Sequence, residues 1–171
     1  MNIERWNTLL RELGLPAETR TFSLLQSAYA EGHRAYHTAR HIDECLSLFD
    51  ELKQLCRSPA EVECALWFHD AIYEPMSKSN EERSADWAAE FISSCGAARD
   101  AVDRIRLHVL ATRHDALPDD ATPEWSSTST CRFSVMSRVD MTSSSATLEG
   151  STGGFPASSM PRSGRRSFNR F

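Results

Sequence analysis

Through most of the first 124 residues, apolar side chains recur at three- and four-residue spacing, a period that a helix satisfies and a strand does not. In "IERWNTLLREL", Ile3, Trp6, Leu9, Leu10 and Leu13 share one face, and Gly14 and Pro16 close the segment. A second helix is expected from about Glu18 to Tyr29, ending by Gly32. "HIDECLSLFDELKQLC" repeats Ile42, Cys45, Leu46, Phe49 and Leu52 at the same spacing. Ser58 and Pro59 followed by Glu61 read as a helix start, with a cap, a proline at the first position and an early acid. The helix they open carries "EVECALWFHDAIY". After a loop from Glu74 to Ser79, "NEERSADWAAEFISSC" and "ARDAVDRIRLHVLATRHD" supply two more. No strand pattern interrupts this series, so the body is expected to be an all-α helical bundle over residues 1–120.

A chain of 171 residues is one domain's worth and can bury a real core. Its net charge of −5 speaks against a nucleic-acid duplex or an anionic membrane as partner. No apolar run approaches the roughly 20 residues that span a bilayer. The charged, amphipathic N-terminus has no signal-peptide core. The cysteines Cys45, Cys56, Cys64, Cys95 and Cys131 are odd in number and form no CxxC pair. Four of them fall in helix-like apolar patterns, which reads as reduced thiols in a cytoplasmic protein rather than a disulfide framework.

From Trp125 the language changes. The last 47 residues hold 13 serines, against nine in the preceding 124, and periodicity is lost. The last 47 carry six basic and two acidic residues, net +4, while the first 124 carry 13 and 22, net −9. Residues 121–171 therefore read as an aberrant Ser/Arg/Gly-rich tail, irregular and disordered.

Chemistry concentrates at the histidines. His37 and His41 are four apart at the head of a helix and share a face. His69 and Asp70 end an apolar run that the pattern assigns to the interior, with more apolar residues directly after them. Imidazole with carboxylate suits borderline or hard divalent ions, and such an ion can activate water and neutralise phosphoryl charge. A further histidine outside the ligand shell can protonate a leaving oxygen. Each histidine taken singly also fits as a helix-end or core residue.

Three blocks in order, "AYHTARHIDECL", "ALWFHDAIYEP" and "NEERSA", resemble the HD superfamily, most closely its small bacterial branch of predicted metal-dependent phosphohydrolases. The resemblance covers roughly residues 1 to 120. It implies an HD-domain-like bundle in which His41, His69 and Asp70 hold a divalent metal ion (Mn, Fe, Mg, Co or Zn). His37, four residues before His41, resembles the general acid of cyclic-nucleotide phosphodiesterases. Glu81, or Glu82 beside it, either holds a metal-bound water or is a dipole partner in a first helical turn. His114 is a candidate contact to phosphate or to a second metal. Trp67, Phe68, Trp87 and Phe91 read as core rather than as a platform for substrate.

The family continues, after the position of His114, into a block close to "DxDLSxLG" and then "REY". Neither is present here. Trp125 has one codon, TGG, and reading resumed on its third base yields valine if Ser126 is a TCN codon. Continued through Val135, that shifted frame permits "VVDVDLSILG", and across Glu149 to Thr152 it permits "REY". Two family blocks in one shifted frame, in the right order, favour a frameshift between Ala121 and Trp125 over a native tail. The aspartate that completes the family's ligand set is then encoded across Ser127–Thr128 or Ser129–Thr130 and is absent from the chain.

The resemblance thus implies a metal-dependent phosphohydrolase, impaired by that loss, acting on a small phosphorylated substrate such as a phosphate ester or nucleotide. The alternative is a non-catalytic helical module that uses the same pocket to sense a nucleotide or a metal.

Overall fold

The run from Glu61 to Phe68 is buried at every position, so the helix that contains it has no solvent face. Such a helix must lie at the centre of a bundle. A computed structural model, which describes residues 1–112, places it there. The described chain is all-α, with α1 at Ile3–Glu12, α2 at Arg20–Tyr29, α3 at Ala39–Leu52, α4 at Pro59–Phe68, α5 at Asn80–Ser94 and α6 at Arg99–Leu110. A single 3₁₀ turn, Lys53–Leu55, extends α3. Helices α1, α3, α5 and α6 all pack against α4, and α5 and α6 pack against each other. His114 and the 121–171 tail lie outside the described residues.

Two acids on the central helix are buried because each meets an arginine from a flanking helix. Glu61 accepts from Arg104 Nε at 2.8 Å and Nη2 at 2.7 Å, which docks α6. Glu63 accepts from Arg5 Nε at 2.8 Å and Nη2 at 3.2 Å, which docks α1. Bidentate pairing of this kind satisfies a buried carboxylate that would otherwise be costly.

The aromatic side chains fill the space between helices. Trp6 stacks on Phe91 with ring centroids 5.4 Å apart and meets Trp67 edge-on at 5.5 Å. Trp67, Phe68 and Phe91 are core residues, and the half-buried Trp87 packs edge-on against Phe68. Cys45 and Cys64 are buried free thiols and Cys95 is a half-buried one, whereas Cys56 is disulfide-bonded, which corrects the reduced reading of that residue.

Helix ends differ in detail from the sequence pattern. Ser58 makes no side-chain cap bond, although Pro59 opens α4 as expected. Asn2 caps α1 by accepting from the Glu4 and Arg5 amides. Glu18 precedes α2 rather than starting it, because its carboxylate accepts from the Arg20 and Thr21 amides at 2.6 and 2.8 Å. No helix among the described residues is long and apolar enough to cross a membrane.

Candidate metal centre

The site forms where the central helix stops. His69 is the C-terminal cap of α4, and the Ala71 amide donates to the Phe68 carbonyl at 2.9 Å, turning the chain at once. Since α4 is the central helix, its last turn delivers His69 and Asp70 into the interior. That is why an imidazole and a carboxylate sit within an apolar run.

His41 reaches the same point from the first turn of α3. Its Nε2 lies 3.2 Å from His69 Nε2, although the two residues are 28 apart in sequence. Asp70 Oδ2 is 3.0 Å from His69 Nε2 and 3.4 Å from His41 Nε2. His41 and His69 are each only 5 % exposed. The structure therefore brings together all three residues that the sequence proposes as ligands. His37, just before α3, joins from the outer edge: its Nδ1–H donates to Asp70 Oδ2 at 2.7 Å, and its side chain is 28 % exposed.

The tautomer of His69 follows from its other nitrogen. Nδ1 lies 2.8 Å from the Leu66 carbonyl oxygen, which can only accept, so Nδ1 carries the hydrogen. In the neutral ring Nε2 then presents a lone pair to His41 and Asp70. A backbone carbonyl orienting an imidazole in this way is the usual support for a metal-binding histidine. The spacing also fits. An ion about 2.0–2.1 Å from two nitrogens in tetrahedral geometry holds them about 3.3 Å apart, and a carboxylate oxygen similarly. The observed separations are 3.2, 3.0 and 3.4 Å.

The charges are strongly coupled. Burial alone would raise the Asp70 carboxyl, but the charge of His69 and hydrogen bonds from His37, His41 and His69 hold it well below the usual range. Burial lowers His41, yet its bonds to Asp70 and Cys45 more than offset this and push it up to about 9. His69 is likewise depressed by burial and raised well above its ordinary value by Asp70. An anion thus anchors a ring of imidazoles, and a divalent cation can take the place of the protons they share.

Other side chains that the sequence did not single out for this site complete it. Cys45, one turn after His41, places Sγ 3.6 Å from His41 Nε2. Two overlapping groups of donor atoms result, each within 4.8 Å of one another: His41, Cys45 and His69, and His37, His41 and Asp70. The Tyr36 ring lies 4.7 Å from that of His41, and the Tyr73 ring 4.6 Å from that of His37. The four-residue step from His41 was a signal for Cys45. The tyrosines lie between helices, where periodicity gives no signal.

Glu81 stands in the first turn of α5, half-buried, and is in neither donor group. Three residues on, Ser84 Oγ accepts from the Ile72 amide at 3.0 Å, so this end of α5 is tied to the segment just after Asp70. A groove of about 830 Å³, lined by Arg5, Asp50, Lys53 and Glu63 among others, contains none of the site residues.

In comparisons with known proteins, no family model, curated protein or solved structure matches the chain.

Proposed function

We propose that the chain is a metal-dependent phosphohydrolase of the HD type, acting on a small phosphate ester or nucleotide. The observation that carries this reading is the convergence of His41, His69 and Asp70 Oδ2 to within 3.0–3.4 Å, with His37 bonded to the same oxygen. When bound, a divalent ion (Mn, Fe, Mg, Co or Zn) supplies an acidified water and screens charge on the phosphoryl group.

The residues divide the remaining work. His41 and His69 offer their Nε2 atoms as ligands, and the Leu66 carbonyl keeps His69 turned the right way. Asp70 contributes the anionic ligand and at the same time holds His37 through Nδ1. His37, held there, carries the transferable proton at Nε2 and gives it to the oxygen leaving phosphorus. Its partial exposure suits that task, while the burial of His41 and His69 suits holding an ion. Glu81, an acid in the first turn of α5, is assigned the metal-bound water on the resemblance alone.

The reading is tested by supplying the purified full chain with each of the five ions and assaying phosphate monoesters and nucleotides. Hydrolysis above the background of His69→Ala is expected, low in absolute terms because the final aspartate is missing. Full metal occupancy with no hydrolysis of any substrate, here and with the shifted-frame tail restored, would instead favour the sensing module.

A further inference from the structure

The buried free thiols Cys45 and Cys64 have different surroundings. Cys64 belongs to neither donor group and serves as a small apolar side chain. Cys45 is fully buried yet faces imidazole nitrogen: Sγ lies 3.6 Å from Nε2 and 3.9 Å from Nδ1 of His41. The two share a face of α3 because they are four residues apart. His69, oriented by the Leu66 carbonyl, aims Nε2 into the same space, and the donor atoms of His41, Cys45 and His69 all lie within 4.8 Å of one another.

We infer that Cys45 is a metal ligand, forming with His41 and His69 a nitrogen–sulfur face that takes zinc in preference to magnesium. The inference rests on the reading of this cluster as a metal centre and names the ion that the centre selects. The separations are those of a zinc site. With Zn–S about 2.3 Å and Zn–N about 2.0–2.1 Å, a tetrahedral angle sets sulfur and nitrogen about 3.6 Å apart and the two nitrogens about 3.3 Å apart. The structure has 3.6 and 3.2 Å. A thiolate also discriminates by softness, since magnesium and calcium choose oxygen whereas zinc and cobalt accept sulfur. On zinc binding the thiol gives up its proton to solvent, and no electrons are transferred. Asp70 and His37 lie on the harder, more exposed side of His41, so Cys45 marks the deep side of the centre.

Cobalt reads this directly. The full chain, stripped of metal, is titrated with Co(II) and followed by absorption, then by zinc competition. A thiolate-to-cobalt charge-transfer band in the near ultraviolet is expected, together with visible bands of tetrahedral intensity. Cys45→Ser should abolish the charge-transfer band and weaken zinc binding by at least about ten-fold, the lower end of what even an outer-shell partner contributes. Cys95→Ala should leave both unchanged, and far-ultraviolet circular dichroism confirms that each variant is folded. Cobalt bound without a charge-transfer band, or a band that survives in Cys45→Ser, overturns the role of Cys45 and leaves the metal centre standing. Failure of the wild-type chain to bind cobalt or zinc at one equivalent overturns both.

Discussion

Arg34 Nη1 donates to the Asp70 carbonyl oxygen at 2.7 Å, joining the segment before α3 to the turn after α4. The same guanidinium donates to the Ala71 carbonyl at 3.0 Å and the His37 carbonyl at 3.2 Å, and Nε pairs with Glu31 at 3.0 Å. Its side chain is wholly buried, with its guanidinium carbon 5.3 Å from the centre of the Tyr29 ring and 5.6 Å from that of Tyr73. One cation thus sets the distance between the proposed acid and the proposed ligand turn. It is a positioning residue.

Replacing Arg34 should therefore damage stability and metal affinity together. Arg34→Ala leaves carbonyls at His37, Asp70 and Ala71 without this donor, and we expect a loss of about 3 kcal/mol. Arg34→Lys should recover little, because an ammonium cannot reproduce the planar fork. Urea midpoints and zinc titrations of both variants check this. A lysine variant with wild-type zinc affinity would show that charge alone, not the fork, holds the turn.

His37 should separate chemistry from binding. It touches Asp70 Oδ2 but stands at the exposed edge of the cluster, so His37→Ala should leave most of the metal affinity in place. Turnover should fall about 10²- to 10⁴-fold, the range for losing a general acid. Asp70→Asn should do the opposite and remove the metal first, since it takes the anion from between three imidazoles. Equal loss of metal from both variants would place His37 among the ligands instead.

Much of this arrangement could be read from residue order. The three-and-four spacing in "HIDECLSLF" delivers the buried face of α3 as expected, with His41 and Cys45 on it. The run "ALWF" lacks a polar face, and in the structure that property makes α4 the central helix and carries His69 and Asp70 inward. Arg34 could not be read in the same way. It lies between helices, where no period operates, and its position is decided by three carbonyls that exist as a group only after folding. Ser58 was misleading for a related reason: a residue type suited to capping does not ensure that its hydroxyl is turned toward the amides.

The Arg5 network away from the site should set part of the acid response. Burial raises the Asp50 carboxyl, but hydrogen bonds from Arg5 and Lys53 bring it below its ordinary 3.8. A carboxyl depressed in the folded state contributes stability above that ordinary value and loses it as pH falls through the folded value. Asp50→Asn should accordingly cost up to about 1 kcal/mol at neutral pH, a small effect because the carboxylate is partly exposed. As pH falls through that lowered folded value the difference from wild type should close. Urea midpoints of the two proteins, compared between about pH 6 and pH 3, test the sign.

The last prediction concerns the sequence after Trp125. If a shifted frame encodes "VVDVDLSILG", a chain carrying that translation regains an aspartate suited to the proposed metal centre as well as an apolar segment. Both effects should appear in the same protein. An added anionic ligand raises affinity for the ion, and an ion bound only by the folded chain adds to folding free energy. At metal concentrations a hundred times the dissociation constant, that contribution is about 2.7 kcal/mol. The restored chain should therefore melt higher in zinc than without it, by more than the chain as it stands, and should hydrolyse phosphate esters faster. His69→Ala in the restored chain should remove the activity and the zinc-dependent part of the stability while helicity persists. Thermal unfolding with and without zinc, run on the two chains side by side, decides the matter. An equal zinc response in both would mean that His41, Cys45, His69 and Asp70 already hold the ion without help from the tail.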